Sequence, residues 1–297
     1  MENIYRTVME GSNPDIINLI KDMPKNSDME FYVDKAENLI FHKAGKGKKI
    51  MVSAIIPKIQ IYISKVKDNK AEFELSGNIE KSALRDKEVF YKGETIGIVR
   101  EDKEKDKETR HFIEKIDDAS LKIGDICTVE SKIRCKDNIL YGIGISSIIP
   151  LKIALNAVSE NKDDVNDIYF TLSFSENSAK AAVNMIEPDY IYSIYCAEAT
   201  DNFQKTNGCG IVYKDGNAVT PDTFRDLSEN IAHTNQIKTQ IYIGKQSPLL
   251  EIFGITGKGA EVLGICIPIE KLNSACEIAC IDDIDAAVRL LAQILMQ

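Results

Sequence analysis

Between Ile59 and Asn138 the chain is patterned for short β-strands alone, and this stretch interrupts two flanks in which strand and helix patterns alternate. Segments such as Ile61-Tyr62-Ile63, Ala71 to Leu75 and Glu94 to Val99 follow one another with turns between them and no long helical period. Short strands in this arrangement read as a small all-β module, a barrel, set into an α/β domain. A length of 297 residues fits that reading, because a single core commonly stops at roughly 100 to 200 residues.

The flanks carry the α/β signal. Ile16, Ile17, Leu19 and Ile20 recur with helical spacing in Asn13 to Met23, after the cap candidate Ser12-Asn13-Pro14. Three β-type runs follow: Phe31 to Val33, Asn38 to Phe41 and Ile50 to Ile56. The glycine-containing turn Ala44-Gly45-Lys46-Gly47 splits the second from the third, a hairpin feeding a buried strand. Beyond Ile139 to Gly142, helices are expected at Leu151 to Val158 and Thr223 to His233. Strands are expected at Ile168 to Phe174, Tyr190 to Cys196, Gln240 to Ile243 and Glu261 to Ile267, and an amphipathic helix at Ile284 to Met296 closes the chain. The expected architecture is a three-layer α/β domain with a mixed central sheet, made of residues 1–58 and 137–297, interrupted by the barrel at 59–136.

Composition narrows the function classes. A net charge of -9 has the wrong sign for a protein that lives on phosphate backbones, so no nucleic-acid partner is expected. No segment approaches the ~18 consecutive apolar residues of a membrane span, and Met1 to Glu10 is not patterned as a signal peptide. Seven cysteines, an odd number in a long chain, fit free thiols and a cytoplasmic setting. The mixed-charge run Arg100 to Arg110 reads as a solvated loop.

Several short stretches resemble a known family. Asp34-Lys35-Ala36-Glu37-Asn38-Leu39-Ile40 is similar to the Asp-x-x-Gly-Asn-Leu-Ile signature of the glutamyl, tetrahedral and "cellulase M"-type aminopeptidases, with Glu37 where glycine is usual. Leu121-Lys122-Ile123-Gly124-Asp125 resembles that family's Val-x-Val-Gly-Asp, Ile186-Glu187-Pro188-Asp189 its Ile-Glu-Pro-Asp, and Asp282 to Leu291 its closing helix. The resemblance implies an aminopeptidase-type domain interrupted by a barrel that mediates dimerisation, often within a tetrahedral dodecamer. It also implies a cytoplasmic home and two zinc ions, which polarise the peptide carbonyl and activate a shared water while a glutamate moves the proton.

Each zinc needs about three ligands drawn from His, Asp or Glu, and the resemblance places the slots one by one. The His-x-Asp slot falls on Ile55-Ile56-Pro57, and the bridging aspartate on Ser146, within Gly142 to Ser146. The Glu-Glu pair falls on Glu176 and Asn177, which retains Glu176 for proton transfer and puts an amide in a metal slot; an ungapped register would put Leu172 and Ser173 there. The next aspartate falls among Tyr195, Cys196 and Ala197, with Glu198 and Asp201 nearby, and the last histidine falls on Asn273. His42, His111 and His233 lie far from every slot. A structural zinc site draws roughly 10 to 16 kcal/mol from its full ligand set, so a chain with these residues is expected to hold no metal.

Other constellations are weaker. Cys266, Cys276 and Cys280 lack a Cys-x-x-Cys pair and read as buried thiols. Gly45 to Lys49 and Gly254 to Gly259 do not fit a phosphate loop and read as turns, and Ser146-Ser147 has no nucleophile elbow. The expected function is that of a catalytically inactive homologue of these aminopeptidases, which binds a peptide or small ligand. Alternatively it assembles, as a homo-oligomer through the barrel or as a mixed oligomer with an active relative. The alternative is an active metal-dependent hydrolase with displaced ligands such as Glu176, Glu198 and Asp201.

Overall fold

The structure is a computed structural model that describes residues 2–11, 13–23, 28–102, 109–116, 120–129, 132–160, 165–245 and 248–297. The cap candidate Ser12 and residues 103–108 of the charged run lie outside the described residues.

Two short helices, α1 (Glu2–Glu10) and α2 (Asn13–Ile20), lead into the strands β1 (Glu30–Val33), β2 (Leu39–Lys43) and β3 (Lys49–Ile55). Helix α1 was not foreseen; it buries Tyr5, Val8 and Met9, and its Tyr5 hydroxyl donates to the Ile143 carbonyl. Six strands then close a barrel. They are β4 (Gln60–Lys67), β5 (Lys70–Ser76), β6 (Glu88–Tyr91), β7 (Glu94–Asp102), β8 (Arg110–Lys115) and β9 (Ile126–Val129), in the order β4-β5-β8-β7-β6-β9. Alternation fills its interior with Ile61, Ile63, Ala71, Phe73, Val89, Val99, Ile113 and Cys127, all buried.

The α/β part resumes with β10 (Ile133–Lys136), β11 (Ile139–Gly142), α3 (Ile149–Glu160), β12 (Asp167–Ser173), α4 (Glu176–Ile186) and β13 (Tyr190–Glu198). It ends with β14 (Cys209–Asp215), β15 (Ala218–Val219), α5 (Asp222–Thr234), β16 (Thr239–Gly244), α6 (Pro248–Ile255), β17 (Glu261–Ile269), β18 (Glu277–Cys280) and α7 (Ile281–Ile294). The main sheet has the order β1-β2-β12-β3-β13-β17-β14-β15, with β16 on β14. Strands β12, β3, β13 and β17 run parallel, whereas β2 and β14 are antiparallel to their neighbours β12 and β17. Residues of α3, α5 and α7 pack on one face of this sheet and those of α4 and α6 on the other, which makes the three layers of a mixed α/β fold.

The hairpin is β1 with β2, Glu30 opposite His42; β2 and β3 are not neighbours, because β12 lies between them. The turn at 44–47 is instead clamped to the entry of β12. The N–H groups of Lys46 and Gly47 donate to the Val165 carbonyl at 2.9 and 2.7 Å, and a Cβ at Gly45 would come within 2.2 Å of the Asn166 carbonyl oxygen. Strand β10 pairs with β11, and β11 with β18, in a separate three-stranded sheet. Gly254 belongs to α6, so the turn expected from Gly254 onward begins only after Ile255.

Where β12, β3, β13 and β17 lie side by side, Thr171, Ser53, Ser193 and Gly264 form one transverse row. Ser53 is 1% exposed and its hydroxyl has no hydrogen-bond partner among the described residues. A buried, unpaired hydroxyl costs about 1 to 3 kcal/mol. Ser53→Ala is therefore expected to raise the denaturant midpoint, by about 1 kcal/mol in stability; a lower midpoint would show that the hydroxyl is satisfied.

Candidate functional site

Parallel sheets bind ligands at the carboxyl ends of their strands. Here β3, β12, β13 and β17 end along one rim, with Ile55 opposite Ser173 and Glu198 opposite Ile269. The Asp34 to Asn38 loop fastens that rim. Asp34 Oδ1 accepts the N–H groups of Ala36 and Asn38, both at 2.8 Å, while Asn38 Nδ2 donates to Asp34 Oδ2 and to the Ser178 carbonyl at 2.7 and 2.8 Å. The Ser173 hydroxyl donates to Asn38 Oδ1 at 2.6 Å, so one buried amide joins β2, β12 and the first turn of α4. Glu37 sits in this loop at φ 62°, the left-handed conformation that glycine adopts at no steric cost.

The structure brings Ser146 and Asn273 together on a third residue, Glu277. Ser146 lies in a one-turn 3-10 helix (Ile145–Ser147) between β11 and α3. Its N–H donates to Glu277 Oε2 at 2.8 Å and its hydroxyl to Oε1 at 2.9 Å, and the Asn273 N–H donates to Oε1 at 2.8 Å. Asn273 occupies a left-handed turn, φ 62°, which asparagine tolerates. Glu277 is 1% exposed. Burial raises its carboxyl above the ordinary value, the three donors oppose that rise, and the Glu198 carboxylate adds to it. Burial also raises the Cys196 thiol well above its ordinary value, with the Glu277 carboxylate adding to it. Sequence reasoning passed over Glu277; the available signal was an acidic residue in the otherwise small and apolar run Ala275 to Cys280.

Glu198, at the end of β13, is exposed, yet both its oxygens are engaged: the N–H groups of Lys271 and Leu272 donate to them at 3.1 and 2.7 Å. Ile55 packs partly buried beside the core of α4 and α6. Glu176 and Asn177 are exposed in the first turn of α4, which Ser175 caps by accepting the Ser178 N–H at 3.1 Å. Neither of these two side chains hydrogen-bonds to a described residue. Asp201 is exposed in the turn after β13, where its carbonyl accepts from Gln204 Nε2 at 2.8 Å. Lys58, three residues past Ile55, donates to the Gly11 carbonyl at 2.9 Å and lies 5.7 Å from the centre of the Phe174 ring. Burial lowers its pKa, against the pull of Asp15 and Glu37.

These donors do not fit a pair of zinc ions. Ile55 and Pro57 have no donor atom, Ser146 is hydrogen-bonded to Glu277, and the oxygens of Glu277 and Glu198 face backbone N–H groups. Among the described residues no group of three or more His, Cys, Asp or Glu is arranged to hold a metal ion. The histidines lie elsewhere. His42 bonds Asp167 at 2.8 Å and stacks on Tyr169 near the amino ends of the parallel strands, His111 is in the barrel, and His233 is in the last turn of α5. All seven cysteines are free thiols, but Cys276 is exposed and only Cys266 and Cys280 of its group are buried.

The other motifs have structural roles. Glu187 ends α4 at φ 50° and pairs with Lys258 at 2.7 Å, and Asp189 exchanges hydrogen bonds with the Lys49 backbone at 2.8 and 2.9 Å, which sets β13 beside β3. Asp125 accepts from the Lys122 N–H and the Tyr91 hydroxyl at 2.7 and 2.8 Å, contacts that hold its carboxyl below the usual range. In the closing helix, the buried Asp283 accepts the N–H groups of Thr206 and Gly208 at 2.8 and 2.7 Å.

Comparison with known proteins adds a family. The model of the M42 glutamyl aminopeptidases matches residues 37–290. A relative from Acetivibrio thermocellus named "Putative aminopeptidase" is 26% identical over 312 residues, covering 96% of this chain and 94% of its own. Among solved structures, aminopeptidase APDkam598 of the archaeon Desulfurococcus kamchatkensis superposes with a TM-score of 0.86 at 18% identity, over 99% of this chain and 93% of its own. The Pyrococcus horikoshii TET1 peptidase, which can assemble into a tetrahedron or a large octahedral shell, gives 0.82 at 19% identity, over 97% and 96%.

Removal of the Glu277 carboxylate leaves two backbone N–H groups and a hydroxyl without their acceptor, so Glu277→Ala is expected to destabilise the fold by about 3 kcal/mol. Glu277→Gln tests the charge. Because the folded value lies above the ordinary 4.5, the unfolded chain ionises first as pH rises. The carboxyl's contribution to stability then falls between 4.5 and the raised value. Denaturation across pH should show wild type losing ground to Glu277→Gln over that window; parallel curves would mean an unshifted carboxyl.

Proposed function

Since this chain belongs to the M42 glutamyl aminopeptidase family, we propose that it is a catalytically inactive member, which works without a resident zinc pair and acts by binding a peptide or small ligand at the rim and by assembly. The observation that carries this reading is the rim chemistry. The slots that the resemblance assigns to ligands hold Ile55, Ser146, Asn177 and Asn273, and the carboxylates of Glu277 and Glu198 are engaged by the protein's own N–H and O–H groups. Lewis-acid activation of water needs several imidazole or carboxylate ligands on each ion. Glu176, the residue carried over for proton transfer, stands exposed without a hydrogen-bond partner among the described residues, whereas proton transfer needs a group held within reach of the reacting atoms.

For ligand binding, the rim offers exposed Glu198, Asp201 and Glu176, an acidic set that favours cationic or amine-bearing ligands over anions. For assembly, the solved TET1 peptidase supplies the precedent of a shared fold that builds closed shells. In our reading this chain likewise forms a homo-oligomer, or joins an active relative in a mixed one. The free thiols suit a cytoplasmic location.

Two measurements test the reading on purified protein. Elemental analysis after exposure to zinc, cobalt or manganese should give no stoichiometric ion, and the melting temperature should not move with metal or chelator. Aminoacyl chromogenic substrates should not be hydrolysed. Turnover that a chelator abolishes would replace this reading with that of a working metallopeptidase whose ligands are displaced to residues such as Glu176, Glu198 and Asp201.

A further inference from the structure

We propose that the outer edge of β16 is a self-association surface, on which a second copy of this chain lays its own β16 antiparallel about a two-fold axis at Tyr242. The inference rests on the assembly reading above and assigns it a surface distinct from the barrel.

Among the described residues strand β16 pairs only with β14, and it so ends the main sheet with a row of open backbone groups. Proteins commonly blunt such an edge with charge, proline, a bulge or brevity. The other ends do so here: β15 has two residues, β1 begins at Glu30 and is followed by Asp34, and β10 carries exposed Arg134 and Lys136. The six residues Thr239–Gly244 contain neither charge nor proline, and the irregularity in this pair lies in β14, between Val212 and Lys214.

The side chains add apolar surface. Ile241 and Ile243 project from the same face and are 52% and 69% exposed. Such a row beside an open edge is what a paired strand covers.

Register selects a copy of the same strand as the occupant. A two-fold axis at Tyr242 sets each Ile241 against the copy's Ile243, so four isoleucines line up on one face and the two Tyr242 rings meet on the other. Residues directly opposite in an antiparallel pair share a face, so this pairing is self-complementary. The flanking cations stay apart: Lys245 falls opposite the copy's Thr239, not its Lys238. Pairing of six residues alone falls short of the roughly 1,000 Å² of a stable interface, so the contact is expected to be weak and to depend on concentration.

Sedimentation velocity on the full chain tests this, with wild type, Ile241→Lys with Ile243→Lys, the single Ile243→Lys, and a barrel variant, Tyr62→Glu with Ile126→Lys. Tyr62 and Ile126 are exposed and lie opposite one another in the barrel wall. The expected result is a wild-type oligomer whose dissociation constant rises at least about tenfold in the edge variants, at unchanged melting temperature, while the barrel variant keeps the edge contact. An oligomer untouched by the edge variants but broken by the barrel variant overturns this inference and leaves the assembly reading standing. A wild-type chain that stays monomeric at high concentration overturns both.

Discussion

A buried carboxylate ties the turns of the rim together. Glu277 gathers three donors from two turns that are 127 residues apart, since Ser146 closes the approach to α3 and Asn273 follows β17. A group with 1% exposure keeps its charge only at a desolvation cost, which those donors offset. These hydrogen bonds position the turns that carry two of the slots the resemblance assigns to ligands. Glu198 does the same for Lys271 and Leu272, so the loop after β17 rests on two carboxylates that sense each other electrostatically.

Much of the architecture was legible because its signals are local. The barrel declared itself by alternation, as Ile61 and Ile63 or Ala71 and Phe73 point inward two residues apart, and the long buried strands β13 and β17 by apolar runs. What failed was long-range or low in contrast. Nothing in the turn at 44–47 reveals that β12, some 120 residues later, will separate β2 from β3. Helix α4 escaped notice because it meets the sheet with Ala179 and Ala182, residues too small to trace an apolar stripe but suited to the row of Thr171, Ser53, Ser193 and Gly264.

The site was half legible. A ligand slot filled by isoleucine or proline is readable from residue chemistry, whereas the meeting of Ser146 and Asn273 on one carboxylate appears only in the fold. Glu277 is not legible in the sequence, because a carboxylate that faces inward onto backbone N–H groups carries no ligand motif. The Asp34 to Asn38 motif was recognised as a family mark, whereas its work is mechanical: Asn38 ties β2 to Ser173 and to α4.

Lys58 carries a last consequence. Its ammonium is tethered to the Gly11 carbonyl just past the end of α1, and Tyr5 of the same helix reaches Ile143, three residues before Ser146. The first helix and the rim are thus wired together at two points on either side of the barrel insertion. Undocking α1 would strand a half-buried cation beside Phe174 and strip a carbonyl of its donor in one event, so these segments should open and close as a single cooperative unit and share one hydrogen-exchange protection factor.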